Sequence, residues 1–370
     1  MKNLVKLKPF CKKIGSGITP RGGDSVYIDS GVALIRSQNV YNGTFTKDGL
    51  AFVDNEIAQK MKGVKVEADD ILLNITGDSV ARCCKVPESI LPARVNQHVS
   101  IIRADKSKIN PNFLMYFLVS PLMQSKMLSM AGSGGTRKAL TKEMIESFDI
   151  PSIDVERQDR ISNILLSYDN LIDNNRKRIQ LLEESARLLF REWVVYFRFP
   201  GHEKVKIIDG VPERWKKARV KNLGEIITGK TPSKKNSRNF DGTIPFIKTP
   251  DMHKSSIVIN TEESLSETGA NYQNNKYLPP WSVQVSCIGT VGVVTMNLLK
   301  AQTNQQINSV IPKNDNHRYY SYFCLSRLKP LLEAIGGGST MANVNKSKFE
   351  GFNPSRKNVK RISSENRPNI

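Results

Sequence analysis

A stretch beginning at Gly224 reads Gly224-Glu225-Ile226-Ile227-Thr228-Gly229-Lys230-Thr231, the G-x-x-x-x-G-K-[ST] spacing of a phosphate-binding loop. That chemistry needs a buried strand before the loop and a helix after it, whose N-terminal N–H groups face the phosphates. Here WKKARVKNL (Trp215 to Leu223) precedes the motif, too charged for a central strand, and Pro232 with SKKNS follows. The segment is expected to be a turn and not a nucleotide site. Leu278-Pro279-Pro280-Trp281 has the two prolines and aromatic residue of amino-methyltransferases, but Leu278 cannot accept a hydrogen bond from a target amine, and no GxGxxG loop accompanies it. A Pro-Pro turn entering a strand is the simpler reading. The (D/E)-x-K tripeptide of metal-dependent nucleases occurs nowhere. His98, His202, His253 and His317 are scattered, and Cys11, Cys83, Cys84, Cys287 and Cys324 form no CxxC pair. No catalytic constellation emerges, so the chain is expected to be no enzyme, with no metal and no cofactor.

With catalysis set aside, the bulk properties point to binding. Fifty-five Lys and Arg against 35 Asp and Glu give a formal net charge of +20, which makes a polyanion the default partner. Nucleic acid fits better than a membrane, since no apolar run approaches the ~20 residues of a span. The N-terminus lacks the apolar core of a signal peptide, so a cytoplasmic location with reduced cysteines is expected.

The chain repeats itself. Thr19-Pro20 recurs as Thr231-Pro232, Leu34-Ile35-Arg36 as Phe246-Ile247-Lys248, and Asn74-Ile75-Thr76-Gly77 as Ser286-Cys287-Ile288-Gly289, all at an offset of 212 residues. Asn96-Gln97 and Asn304-Gln305, Gly135-Thr136 and Ser339-Thr340, and Phe148 and Phe352 follow in the same order with a small drift. Residues of roughly 1–150 and 205–354 therefore read as two copies of one mixed domain. Strands are expected at Gly31 to Ile35, Ile71 to Ile75, Val99 to Ile102 and Val283 to Ile288. Single helices are expected over Asn112 to Met130 and Tyr319 to Ile335. Each copy also carries a glycine-rich loop, Ala131 to Lys138 and Gly336 to Thr340.

Between the copies, Val155 to Val195 contains neither Pro nor Gly. Apolar residues recur at alternating steps of four and three: Ile161, Leu165, Tyr168, Ile172, Ile179, Leu182, Ala186, Leu189 and Trp193, with Asn175 in the vacant seam position. This heptad predicts a long coiled-coil-like helix, with Asp154 as its cap and Pro200-Gly201 as its stop. The expected fold class is α/β, of the α+β kind: two similar domains joined by that helix. The boundaries are 1–152, 153–200, 201–354 and a short tail, 355–370.

The remaining chemistry is recognition. Arg and Lys neutralise phosphates, while Arg, Asn and Gln can reach base edges with two hydrogen bonds at once. The candidates in the first copy are Thr19, Arg21, Arg36, Gln38, Asn39, Thr76, Asn96, Gln97, Arg137 and Lys138. In the second they are Lys230, Thr231, Lys234, Lys248, Asn304, Gln305, Gln306 and Thr340. Two non-identical copies are expected to read two different half-sequences.

The helix tail LLEESARLLFREWVVYFRFPGHE (Leu181 to Glu203), with the ITGKTPS and GGGST turns, resembles the specificity subunits of type I restriction–modification complexes. The resemblance covers nearly the whole chain. It implies two target recognition domains, each reading half of a bipartite site in double-stranded DNA, and a helical spacer that docks two modification subunits carrying the adenine methyltransferase. Restriction subunits would join that core. Leu182, Leu189 and Trp193 would face a partner helix, together with Ile161, Leu165, Ile172 and Ile179, while Leu181, Leu188 and Phe190 lie off the strict seam and could touch the modification subunits. The family carries a second conserved helix after the second domain. SRKNVKRISSENRPNI stands where it should begin and shows no heptad, so a truncated subunit is expected, with self-association through the unpaired helix. The alternatives are a silent DNA-binding remnant that assembles no working complex, an NTPase using Gly224 to Thr231, and an RNA-binding scaffold. Aromatic content of only 7% and the lack of paired aromatics on a strand motif weigh against RNA.

Overall fold

The computed structural model describes residues 4–132, 138–336 and 343–353. The chain divides into two compact units, Met1–Arg178 and Ile179–Ile370, so the boundary falls inside the long helix. Residues 133–137 and 337–342 of the glycine-rich stretches and the tail from 354, with the candidates Arg137 and Thr340 and the question of a second helix, lie outside the described residues.

The first unit contains β1 (Cys11–Ser16), β2 (Val32–Ile35), β3 (Ala51–Val53), β4 (Lys65–Val66), β5 (Ile71–Asn74), β6 (Cys83–Lys85), β7 (Ala93–Val95) and β8 (Val99–Ala104). One sheet has the order β1-β8-β5-β6, antiparallel throughout. The other has the order β3-β2-β7-β4, with β2 and β7 parallel. The apolar run of β5 is buried on both faces, which removes the alternation a half-exposed strand would show. Ile71 and Leu73 join the cluster formed with α2 (Pro111–Val119) and α3 (Pro121–Gly132), through Leu114, Leu118 and Met127. Leu72 faces the second sheet with Leu34 and Val95. Each such side chain withdrawn from water contributes roughly 1.5–3 kcal/mol.

The single helix expected from Asn112 to Met130 is two helices. Ser120 takes an extended conformation and Pro121, lacking an N–H, starts the next helix. α4 (Lys142–Glu146) is capped by Thr141, whose hydroxyl accepts from Met144 N.

The long helix, α5, runs from Val155 to Phe190. Asp154 caps it as expected, accepting from Arg157 N at 2.8 Å. In the first unit Gln158, 2% exposed, accepts from Asn110 N, Asn110 donates to Asp159, and Tyr116 donates to Asp169. Residues 167–182 are exposed throughout.

The second unit contains β9 (Gly224–Thr228), β10 (Phe240–Ile247), β11 (Ile257–Val258), β12 (Ser264–Leu265), β13 (Val283–Ser286), β14 (Val294–Asn297), β15 (Gln302–Thr303) and β16 (Ile307–Pro312). Its sheets have the orders β9-β16-β13-β14-β11 and β12-β10-β15. Much of the first unit's topology recurs, including the parallel pair β10 with β15, but the second unit adds a further parallel pair, β11 with β14, in a five-stranded sheet. The helix expected from Tyr319 to Ile335 is again two, α6 (Arg318–Ser326) and α7 (Lys329–Gly336). The end of α5 packs here: Phe190 stacks on Phe323, with ring centroids 5.3 Å apart.

The repeat extends to individual bonds. Arg36 N donates to Asn39 Oδ1 and Lys248 N to Asp251 Oδ2, both at 3.0 Å. Ile18 N donates to Val95 O, and Lys230 N to Thr303 O. One core layer differs. Leu72, paired with Cys84 and Ile101, becomes Gln284, paired with Thr295 and Ser309. Gln284 donates to Asn297 Oδ1 at 2.8 Å and to Ser282 O at 2.9 Å, so this buried layer is held by hydrogen bonds.

Gly17 and Gly229 occupy equivalent places of close approach. A Cβ on Gly17 would lie 2.0 Å from Val95 O, and one on Gly229 would lie 2.2 Å from Asn304 O. Gly17→Ala and Gly229→Ala are each expected to destabilise their own unit by about 1–3 kcal/mol, because backbone must shift to make room. Urea unfolding followed in each unit checks this. An unchanged midpoint for either variant would contradict it.

Candidate nucleic-acid interface

In the first unit the segments at the ends of β2, β5 and β7 meet around an open cleft of about 470 Å³. It is lined by Ser37, Gln38, Tyr41, Thr76, Gly77, Asp78, Ser79, Arg82 and His98. Gln38 donates from Nε2 to Gly49 O at 3.0 Å, and Arg36 donates from Nη2 to the same carbonyl at 2.7 Å. Thr76 Oγ1 lies 2.7 Å from His98 Nδ1. The Arg82 guanidinium sits over the Tyr41 ring at 4.9 Å from its centroid. Gly77 N donates to Lys138 O, which brings exposed Lys138 to the rim.

Of the candidates in the first copy, Gln38 and Thr76 line the cleft. Exposed Gln97 adjoins it, its Nε2 lying 3.4 Å from His98 Nε2. Thr19 and Arg21 follow β1 on the loop tied to Val95 through Ile18. Asn39 and Asn96 do something else. Asn39 is fully buried and donates to Thr46 O and Asp48 O. Asn96 is 7% exposed and accepts from His98 N at 3.1 Å. Both hold loops through their side chains, Asn39 with oxygen and amide and Asn96 with its oxygen; they are asparagines because a short amide can satisfy backbone groups inside a turn. Sequence reasoning missed Tyr41, Arg82, Asp78 and His98. Only the adjacency of His98 to Asn96-Gln97 gave a usable signal.

In the second unit Lys230 is exposed, with its ammonium 5.7 Å from the centroid of the Tyr272 ring. Thr231 Oγ1 donates to Gln305 Oε1 at 2.6 Å, bringing two candidates together. Asn304, 8% exposed, repeats the role of Asn96 by accepting from Gln306 N and donating to Gln306 Oε1. Lys248 is paired with Glu263 at 2.6 Å, and that hydrogen bond holds the Glu263 carboxyl below its usual range. Lys248 is therefore engaged within the chain. Lys234 is exposed in a run that carries Lys230, Lys234, Lys235 and Arg238 with no acidic residue before Asp241.

The phosphate-loop spacing has no phosphate-loop structure. Gly224–Thr228 is a strand paired with β16, where a Cβ on Gly224 would lie 1.8 Å from Ile311 O. The turn expected over the whole motif is confined to Gly229 and the residues after it. The next helical segment is the short 3₁₀ turn Ser237–Asn239, beyond Pro232. Leu278 is buried and Trp281 has a φ of 67°, in the expected turn into β13. Among the described residues no three His, Cys, Asp or Glu gather as a metal site would require, and no helix is long and apolar enough to cross a membrane. The five cysteines are free, and burial pushes the Cys84 thiol up to about 12 and the Cys287 thiol up to about 11.

Along α5 the seam residues Leu165, Ile172, Ile179, Leu182 and Leu189 are exposed, as are Trp193 in the π-helical turn that follows and Leu181 and Leu188 off the seam. Two candidates depart from the expected partner surface. Ile161 packs against the core of the first unit, and Phe190 packs on Phe323 in the second. Both lie near helix ends, where each unit supplies apolar surface.

Comparison with known proteins agrees with this two-domain architecture. Residues 4–184 and 212–353 match the family described as the type I restriction modification DNA specificity domain. The HindI specificity subunit of Haemophilus influenzae is 30% identical, over 86% of this chain and 83% of its own length. The putative MjaX specificity subunit of Methanocaldococcus jannaschii is 21% identical over 94% of this chain and 81% of its own length. The fold is similar to the crystal structure of the type I restriction–modification S subunit from M. genitalium, with a TM-score of 0.57, 12% identity, and 95% of this chain and 84% of that one covered. With two matched copies of the domain and this relative over most of its length, the chain belongs to the DNA specificity subunits of type I restriction–modification systems.

Proposed function

We propose that each unit reads one half of a bipartite double-stranded DNA site, and that α5 sets the interval between the halves and docks two modification subunits, which restriction subunits then join. The chain itself chooses the sequence and leaves methyl transfer and cleavage to those partners in the cytoplasm. The observation that carries this reading is the pairing of one topology with two sets of side chains. At equivalent places the first unit presents Gln38, Tyr41, Thr76 and His98, and the second presents Pro250, His253, Ile288 and Gln306. Similar scaffolds with different donors and acceptors suit two different half-sites. A formal charge of +20 supplies the sequence-independent attraction to phosphates.

The exposed seam of α5 supports a further element of the reading, pairing with the same helix of a second chain, while Leu181 and Leu188 suit contact with modification subunits. Sedimentation of the isolated chain is expected to show a dimer. A monomer with its helix content intact would remove self-association.

Selection from a random duplex pool, with modification subunits present, is expected to return two short motifs at a fixed gap. Salt-sensitive binding with no motif would overturn the reading. Inserting four helical residues in the exposed 167–182 stretch lengthens the helix by about 6 Å. It should widen the gap by one or two base pairs and leave both half-motifs unchanged; an unaltered gap would show that α5 is no spacer. Lys230→Ala is expected to weaken DNA binding uniformly and lower the salt slope by about one. Loss of ATP binding in that variant would instead support the nucleotide site.

A further inference from the structure

The open cleft of the first unit is built differently from its equivalent in the second. Gln38 corresponds to Pro250, Tyr41 to His253, and Arg82 to Val293, since Asn74 N donates to Arg82 O just as Ser286 N donates to Val293 O. The second unit therefore has no amide at the place of Gln38 and no guanidinium at the place of Arg82.

Both side chains are pre-positioned. Gln38 gives one amide hydrogen to Gly49 O. Its second amide hydrogen and its Oε1 remain, an adjacent donor and acceptor. That pair complements the N7 acceptor and N6 donor of adenine in the major groove. Gly49 has a φ of +62°, and a Cβ there would lie 2.5 Å from Gln38 Nε2, so only glycine leaves room for this arrangement. Arg82 rests its guanidinium over Tyr41. The ring holds the cation by a cation–π contact and takes none of its N–H groups as a conventional hydrogen bond, so those groups suit the O6 and N7 acceptors of guanine. Fixing both groups before binding lowers the ordering cost of contact. Asp78 and His98 complete the polar wall.

We propose that Gln38, positioned by Gly49, and Arg82, positioned by Tyr41, determine the specificity of the first unit: Gln38 selects an A·T pair and Arg82 a G·C pair within its half-site. This rests on the proposed reading of one half-site per unit and adds which residues read it.

The test is selection from random duplex DNA by the full chain with its modification subunits, comparing the wild type with Gln38→Ala, Gly49→Ala, Arg82→Ala and Arg82→Lys. Gln38→Ala and Gly49→Ala should both lose preference at the same A·T position of one half-motif. Arg82→Ala should lose it at a G·C position of that same half, and Arg82→Lys should not restore it, because an ammonium lacks the planar fork. Each loss is expected to be about 5- to 150-fold in discrimination. The other half-motif serves as a control, since its persistence shows that the variant folds and assembles. A wild type without a bipartite motif would fell the half-site reading itself. A bipartite wild-type motif left intact by Gln38→Ala, Gly49→Ala or Arg82→Ala would overturn only the present proposal. So would loss at the opposite base pair, uniform weakening with the motif unchanged, or full recovery in Arg82→Lys.

Discussion

A buried asparagine turn holds together each surface proposed to read DNA. Asn96 N donates to Ile35 O at 3.0 Å, its side chain accepts from His98 N, and its carbonyl accepts from Val99 N. One residue thereby fixes the end of β2, the end of β7 and the start of β8. Asn304 makes the same three connections, to Ile247, Gln306 and Ile307. Beside each turn stands a glycine, Gly17 or Gly229, that lets β1 or β9 pass against the backbone. Because these bonds are made in a buried place, losing one would leave an unsatisfied group that costs about 1–3 kcal/mol. The loops around them are held in register, and their outward side chains can vary without disturbing the junction.

That separation explains how one fold can serve two readings. The invariant bonds run backbone to backbone or through buried Asn and Asp: Arg36 N to Asn39, Lys248 N to Asp251, Leu7 N to Phe148 O and Val220 N to Phe352 O. The varying residues point from those loops outward. Variation also reaches one interior layer, where Gln284, Thr295 and Ser309 replace Leu72, Cys84 and Ile101. A leucine layer needs only close packing, whereas a glutamine layer needs each partner in place, including Asn297 and Ser282.

Much of this was legible in the sequence, and the reasons differ by feature. The repeat offset of 212 anticipated the shared topology because equivalent turns need the same small or capping residues. The heptad and Asp154 anticipated α5. In the sequence the helix pairs around Ser120 and Arg327 look like single helices, since apolar periodicity continues across a break that Pro121 imposes in the first unit. At the surface, type alone misled. Asn39, Asn96 and Asn304 have the chemistry of base readers, yet Asn39 and Asn304 commit both oxygen and amide within the chain and Asn96 commits its oxygen. Lys248 is occupied by Glu263, and Phe190 by Phe323. Arg82 and Tyr41 sit far apart in the chain and meet because the turn after Tyr41 bonds Cys83, Gly43 N donating to Cys83 O and Cys83 N donating to Asn42 Oδ1, a contact that no local pattern encodes.

The central claim is that each unit carries its own half of the specificity. It is tested most directly by a chimera in which the first unit's recognition domain replaces the second's, with α5 retained, and by determining the DNA sequence that its assembled complex selects. The account predicts that the half-motif of the second unit disappears and that of the first appears twice at a fixed gap. Retention of the original two-part motif, or a motif containing neither original half, would contradict it.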